Sequence, residues 1–232
     1  MRTVQLYLQD SYLREVEAEV VEVGEGVILD RTIFYAASGG QPGDTGKMVG
    51  SRTYDVKEVT KRDEIVHVSD PLPQVGEKVR LEIDWERRYK HMRMHTAIHV
   101  VSSIAMKEFG ASITGNQINE EYSRIDFNFK DWNAQISTSL QGRVNQELRR
   151  NQDVSVLTMR REEILKVEGA LKVDERLLPN LEVLRVVKIG DIDMQPDGGT
   201  HVRNTSEVGE IEIYKIENKG KNNKRMYFSI HR

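Results

Sequence analysis

Residues 16 to 84 run as short stretches rich in Val and Ile that alternate in part between apolar and polar positions: 16-VEAEVVEVG-24, 26-GVILD-30, 32-TIFYA-36, 54-YDVKEVT-60, 64-EIVHVS-69 and 78-KVRLEID-84. Period-two alternation broken by Gly, Pro, Asp and Ser predicts strands joined by turns, and their number and spacing predict a small β-barrel or sandwich. The pattern changes at Asp84. Trp85 to Phe109 contains neither Gly nor Pro, which predicts a long helix with Asp84 as N-cap and Gly110 as its stop. A strand is expected at 124-RIDFNF-129. A second helix is expected after Asp131, where Trp132, Ile136, Leu140, Val144 and Leu148 draw one apolar stripe. Then follow a strand at 153-DVSVLT-158, a short helix at 161-REEILKVEG-169, a buried strand at 181-LEVLRVVKIG-190 and two strands around a turn within 209-GEIEIYKIENKGKNNKRMYFSI-230. The second half therefore reads as α+β, with helices on a mainly antiparallel sheet. Two domains are expected, 1–84 and 85–232.

Composition narrows the class. The 232 residues are 38% hydrophobic and 31% charged, in the range of a globular protein. With no cysteine there is neither a disulfide framework nor a thiolate metal site. No signal-peptide h-region and no apolar run long enough to span a bilayer are evident, so a cytoplasmic protein with no membrane partner is expected. The net charge of −3 argues against a generic nucleic-acid coat. It leaves room for local basic patches at 86-ERRYKHMR-93 and 219-KGKNNKRMYF-228.

Two short signatures carry candidate chemistry. His95 and His99 are four apart on the first expected helix, which puts both imidazoles on one face. Such a pair suits one cation, and His91, one turn earlier, could replace a member. Thr96 stands where a zincin has its catalytic Glu, so that mechanism does not apply. Asp197 and His201 flank Gly198, Gly199 and Thr200, and two consecutive glycines permit a sharp turn that points both side chains inward. The residues alone leave open a hydrogen-bonded helix-surface pair and a plain Pro-Asp-Gly-Gly turn.

Four segments resemble the editing module of alanyl-tRNA synthetase and its free-standing relatives, the AlaX proteins. 34-FYAASGGQPGDTG-46 is similar to the family's glycine-rich motif, 93-RMHTAIHVV-101 to its first metal-ligand motif, 111-ASITGNQINEEYSRIDF-127 to the segment after it, and 198-GGTHVRNTSEVGEIEI-213 to its second metal-ligand motif. Chain length fits the medium-length class. The resemblance implies a β-barrel-like domain followed by an α+β editing domain like that of threonyl-tRNA synthetase. It implies hydrolysis in trans of Ser-tRNA(Ala), leaving Gly-tRNA(Ala) open as a second substrate, with zinc held by His95, His99 and His201. Where the family usually has Cys, this chain has Asp197. A carboxylate is a sound zinc ligand, although exchanging soft sulfur for hard oxygen lowers zinc's advantage over Mn2+, Fe2+ or Co2+.

Within this resemblance, rejecting alanine calls for a buried hydroxyl or amide near the histidine helix, and Thr114 in 113-ITGNQI-118 fits first, with Gln117 second. Gly39, Gly40, Gln41 and Asp44 of the glycine motif form a candidate dock for the tRNA acceptor end, or a turn between strands. Arg87, Arg88 and Arg93 are candidate phosphate contacts, and Lys219, Lys221, Lys224 and Arg225 offer a second set. A catalytically inactive module that binds aminoacyl-tRNA is the alternative, favoured only by the Asp197 exchange. A two-His, one-carboxylate iron enzyme leaves both His201 and the glycine motif unexplained. Monomer and homodimer both stay open.

Overall fold

The computed structural model describes residues 3–129, 132–167, 169–170, 178, 180–220 and 222–231, so Asp131, Glu168 and Lys221 of the segments named above lie outside the described residues. The chain divides into two compact units, Met1–His91 and Met92–Arg232. Its elements in the first unit are β1 (Val4–Gln5), β2 (Glu15–Val23), β3 (Val27–Leu29), β4 (Arg31–Thr32), β5 (Gly46–Val49), β6 (Thr53–Lys61), β7 (Ile65–Asp70) and β8 (Lys78–Ile83). Six of these close a barrel in the order β2-β3-β7-β6-β5-β8. Closure satisfies the sheet edges, and the alternation found in the sequence fills the interior with Val20, Leu29, Met48, Val59 and Leu81, each at most 1% exposed.

Two strand expectations change. The stretch 32-TIFYA-36 is not a barrel strand: only Thr32 is in a strand, paired through β4 with β1. Its apolar run is buried because Ile33, Phe34 and Tyr35 pack inward. The missing barrel strand is β5, whose Gly46, at φ +156, sits against β8 so closely that a Cβ would lie 2.1 Å from the Glu82 carbonyl oxygen. Its short run of GKMV has too little β-branched content to announce itself.

His67 is in the barrel core, 0% exposed. Its Nδ1 lies 3.0 Å from the Val27 carbonyl and its Nε2 2.8 Å from Thr32 Oγ1, which suits a neutral ring that donates to Val27 and accepts from Thr32. Burial pushes its pKa down from 6.5 to about 4, partly offset by the Val27 hydrogen bond. The unfolded chain therefore binds this proton more readily. The stability contributed is full above about pH 6.5 and is lost as pH falls through that value toward 4, with a slope of up to about 1.4 kcal/mol per pH unit. Urea unfolding between pH 7.5 and 4.5 should show this loss, and His67→Gln, though less stable at pH 7.5, should lose stability less steeply. Equal slopes in the two proteins would remove His67 from the account.

The second unit contains β9 (Ser112–Ile118), β10 (Ser123–Asn128), α2 (Ala134–Leu148), β11 (Val154–Arg160), α3 (Arg161–Ile164), β12 (Val183–Ile189), β13 (Asp193–Pro196), β14 (Glu210–Gly220) and β15 (Asn223–His231). The helix α1 (Trp85–Phe109) begins in the first unit and supplies the second with its remaining length. Two antiparallel sheets form, β14-β15-β10-β9 and β11-β12-β13. The Asp84 carboxylate accepts from the Arg87 amide at 3.1 Å, capping α1, and Gly110 ends it at φ +62. From Met94 to Ala105 every residue of α1 is buried, which is why this helix shows no one-sided stripe. By contrast α2 buries Leu140, Val144 and Leu148 on one face, starts from Asn133 as N-cap, and holds β14 through Asn145, whose side chain bonds both the amide and the carbonyl of Ile211.

In this unit two strands were not expected: β9, where Gly115 and Asn116 interrupt Ile113, Thr114 and Ile118, and β13, which reads DMQP and has no β-branched residue. The expected helix at 161–169 is a single turn, α3.

Candidate metal centre

The two signatures converge. One ligand atom from each of His95, His99, Asp197 and His201 can be chosen so that all four lie within 4.8 Å of one another. The imidazole centroids are 5.0 Å (His95–His99), 4.3 Å (His95–His201) and 4.5 Å (His99–His201) apart. The three rings are at most 6% exposed. Asp197 Oδ1 lies 3.5 Å from His95 Nε2 and 3.9 Å from His99 Nε2, and Asp197 Oδ2 lies 3.1 Å from His201 Nε2. His91 is buried but is not among the four.

Local structure explains the convergence. Residues four apart on α1 share a face, so His95 and His99 present their rings together. The partner loop leaves β13, which pairs with β12 through Val186–Pro196. The Asp197 amide donates to the Arg185 carbonyl at 3.2 Å, and Arg185 Nη1 donates to the Asp197 carbonyl at 2.6 Å. Asp197 Oδ2 accepts from the Gly199 amide at 2.6 Å, closing the turn. Neither Gly198 nor Gly199 takes a left-handed φ, so this side-chain bond, rather than unusual glycine angles, shapes the loop. Thr96 joins loop to helix: its Oγ1 is 3.1 Å from His201 Nδ1 and accepts from the Val202 amide at 3.4 Å. On the other side, His99 Nδ1 lies 2.8 Å from Asp193 Oδ2, and Ser103 Oγ donates to Asp193 Oδ1 at 2.8 Å.

The electrostatics suit cation ligands. Burial holds His95 well below 6.5 against the pull of Asp197, and lowers His201 to about 4, with His99 adding to the effect. Burial would lower His99 as well, but hydrogen bonds to Asp193 and Asp197 raise it. Burial raises Asp197, yet His95, His201 and His99 together hold it well below 3.8. A four-coordinate zinc with bonds near 2.0 Å has donors about 3.3 Å apart. Asp197 Oδ1 at 3.5 and 3.9 Å from His95 and His99, and Oδ2 at 3.1 Å from His201, lie near that edge, so the three imidazoles and the carboxylate could hold a divalent cation.

The other candidate residues fall elsewhere. Thr114 and Gln117 are on β9 and exposed, not buried as expected of a hydroxyl-reading site. Thr114 is the extra residue of a β-bulge between the pairs Asp126–Gly115 and Phe127–Ile113, a device that re-aims a side chain. Gly39 and Gly40 form an exposed tight turn, φ +58 and +89, closed by the Ser38–Gln41 bridge. Gln41 and Asp44 are buried, and so is Arg88, at 0%. Arg88 ion-pairs with Asp44 and donates to the Ser11 and Ile33 carbonyls, so the hydrogen bonds that both side chains make lie within the first unit. Arg93 donates to the carbonyls of Glu207 and Val208 and ties α1 to the loop before β14. Arg87 is half-buried, with Nη2 3.5 Å from the Gly43 carbonyl. In the second basic set Arg225 is bidentate to Asp126, Lys219 pairs with Glu217 and Lys224 donates to Asn218. Sequence reading missed Asp193 and Gln195 beside His99, Ser103 as the donor to Asp193, and Thr96 beside His201.

A family model described as the threonyl and alanyl tRNA synthetase second additional domain matches residues 184–227, and one described as tRNA synthetases class II (A) matches residues 3–87. Both stretches of the chain thus resemble parts of tRNA synthetases. Near full-length relatives narrow the class. The alanyl-tRNA editing protein AlaX-M of Saccharolobus solfataricus is 41% identical over 98% of this chain and 99% of its own length. That of Methanosarcina mazei is 39% identical over 98% and 96%. An alanine–tRNA ligase of Saccharolobus islandicus is 36% identical over 93% of this chain but only 25% of its own length. The chain belongs to the family of alanyl-tRNA editing proteins, AlaX, and the two AlaX-M relatives match it over nearly the full length of both chains.

Proposed function

We propose that the protein is a trans-editing hydrolase that deacylates tRNA(Ala) mischarged with serine, with Gly-tRNA(Ala) as a second substrate, at a divalent cation held by His95, His99, Asp197 and His201. The observation that carries this reading is the convergence of three imidazoles and one carboxylate from α1 and the Asp197–His201 loop. Zinc is the first expectation, with Mn2+, Fe2+ or Co2+ admitted by the oxygen ligand. When bound, such an ion supplies a Lewis acid that lowers the pKa of bound water or polarises the ester carbonyl.

The chain's own residues do the rest. Burial keeps His95 and His201 unprotonated at neutral pH, so their lone pairs are available to the ion. Asp197 brings one negative charge, which offsets part of the ion's charge in a site with little exposure. Thr96 holds His201 from behind rather than acting as a base. Serine differs from alanine by one hydroxyl, and a polar group left unpaired when alanine enters gives strong discrimination. Thr114 on its bulge, with Gln117 beside it on β9, is assigned that contact. Its exposure means that the bound aminoacyl end itself has to cover it. Gly39 and Gly40 present an exposed turn for the acceptor end, and Arg87 is the remaining candidate phosphate contact on α1. The domain assignment follows: a β-barrel domain, then an editing domain of the threonyl-tRNA synthetase kind, in a cytoplasmic protein.

Deacylation of preformed Ser-tRNA(Ala), with Ala-tRNA(Ala) as control, tests the reading. Serine should be released selectively, chelation should abolish release, and added Zn2+ or Mn2+ should restore it. Thr114→Val in the same assay should narrow the serine-to-alanine rate ratio by at least about tenfold. No turnover under any metal would give precedence to an inactive aminoacyl-tRNA-binding module. Unchanged rates for Thr114→Val would end its assignment alone.

A further inference from the structure

Asp193 has no counterpart among the four converging side chains, yet it is one of the most deeply buried carboxylates, with its side chain 1% exposed. A buried carboxylate is retained only when its lone pairs are met. Here Ser103 Oγ donates to Oδ1 at 2.8 Å, Gln195 Nε2 donates to Oδ2 at 3.0 Å, and His99 Nδ1 lies 2.8 Å from Oδ2. Gln195 Nε2 is also 2.7 Å from His99 Nδ1, so two geometries compete for that nitrogen. The chemistry separates them. An ionised carboxylate offers only lone pairs. A bare Nδ1 at 2.8 Å from it would set lone pair against lone pair, whatever Gln195 donates. The proton therefore sits on Nδ1 and points to Asp193 Oδ2, which also accepts from the Gln195 amide; the short Gln195 Nε2–His99 Nδ1 approach is then a contact between two donors that share one oxygen, not a hydrogen bond. In the neutral ring this leaves Nε2 bare, on the side where Asp197 Oδ1 lies 3.9 Å away. His201 is held less decisively, since the Thr96 hydroxyl beside its Nδ1 can either donate or accept.

The carboxylate is itself held from both sides. Ser103 is one turn beyond His99 on α1, so the same helix face carries the ring and the donor that orients its partner. Lys107 Nζ, one turn further, donates to the Ile192 carbonyl and fixes the residue before Asp193. On the strand side, Asp193 opens β13 in register with Ile189 of β12.

We propose that Asp193 is the positioning residue of the centre: with Ser103 and Gln195 behind it, it locks His99 in the Nδ1–H form, turned so that Nε2 faces Asp197, His95 and His201. The consequence for metal binding rests on the function proposed above; the tautomer does not.

Two measurements test it separately. 15N NMR of the imidazoles in metal-free wild-type protein, above the titration of His99, should show the Nδ1–H tautomer for this ring. Titration with Zn2+ against a chromophoric chelator should show Asp193→Asn binding about 10–100-fold more weakly than wild type, and Co2+ bound to the variant should give altered d–d absorption bands. Ser103→Ala, which leaves the carboxylate in place, should give a smaller loss and serves if Asp193→Asn does not fold. An Nε2–H tautomer in wild type overturns the proposal. So does a folded Asp193→Asn protein with wild-type affinity and an unchanged Co2+ spectrum. If wild type shows the Nδ1–H tautomer but binds neither metal, the hydrogen-bond assignment stands and the metal-dependent function falls.

Discussion

Replacing Asp197 with alanine should weaken Zn2+ binding by more than about 100-fold, beyond the upper end of what removal of a supporting group outside the ligand set costs, and should abolish release of serine from Ser-tRNA(Ala). The carboxylate is central to the constellation: its two oxygens lie 3.1 to 3.9 Å from a nitrogen of each of the three histidines. Without it only imidazole nitrogens would be left to meet a divalent ion, and the one carboxylate still close by, Asp193, lies behind His99 on its Nδ1 side. Asp197 also shapes its own loop through the Gly199 amide, so the alanine variant alone would confound ligand loss with loop disorder. Asp197→Asn separates them, because its carbonyl oxygen can still accept from Gly199 while the charge is gone; it should keep the loop folded and lose most of the affinity. Asp197→Cys should bind again but reorder the metals, favouring Zn2+ over Mn2+ by a wider margin than wild type, since thiolate is the softer ligand. Wild-type affinity in both the alanine and asparagine proteins would show that the aspartate is not a ligand.

The site was legible in the sequence where its geometry is local. A spacing of four on a helix fixes the relation of His95 to His99 before any tertiary structure is known, and the Asp197–His201 loop is compact enough to act as one unit. That the two meet was not contained in either spacing; it came from the resemblance. The supporting residues were not legible because each lies either on an element that the pattern hides or on a helix whose inward face it does not mark. Asp193 and Gln195 lie on β13, a four-residue strand with no β-branched residue and a terminal proline, so nothing in DMQP signals extended structure. Thr96 and Ser103 lie on α1, where burial on every side removes the contrast that would mark an inward face. In the first unit the alternation gave the barrel, but 32-TIFYA-36 was misread because a buried apolar run is common to strands and to packed irregular chain. Charge misled in a similar way. A stretch such as 86-ERRYKHMR-93 looks like a solvated basic face until the partner of Arg88 is found 44 residues earlier in the chain.

That partner gives the largest expected effect on stability. Asp44→Ala should destabilise the first unit by about 3–5 kcal/mol, the cost of leaving one member of a buried pair without the other. Arg88 is 0% exposed and its guanidinium reaches Asp44 through Nε, 3.0 Å from each carboxylate oxygen, as well as through Nη2. Nη1 and Nη2 also donate to the carbonyls of Ser11 and Ile33, so the cation is bound to stay where it is when its counter-ion is removed. Asp44 Oδ2 further accepts from the Tyr35 amide at 2.6 Å, and that donor too would be stranded. Since domains are typically stable by only about 5–15 kcal/mol, the loss should be visible as a large shift of the urea midpoint followed by far-UV circular dichroism. The double variant Asp44→Leu with Arg88→Met removes both charges together and should recover a substantial part of the loss, because well-packed apolar replacements of a buried pair are often close to neutral. The same proteins decide whether Arg88 touches tRNA. A folded double variant with wild-type tRNA affinity at every salt concentration fits a purely structural arginine, whereas a reduced salt slope of binding would restore Arg88 to the list of phosphate contacts.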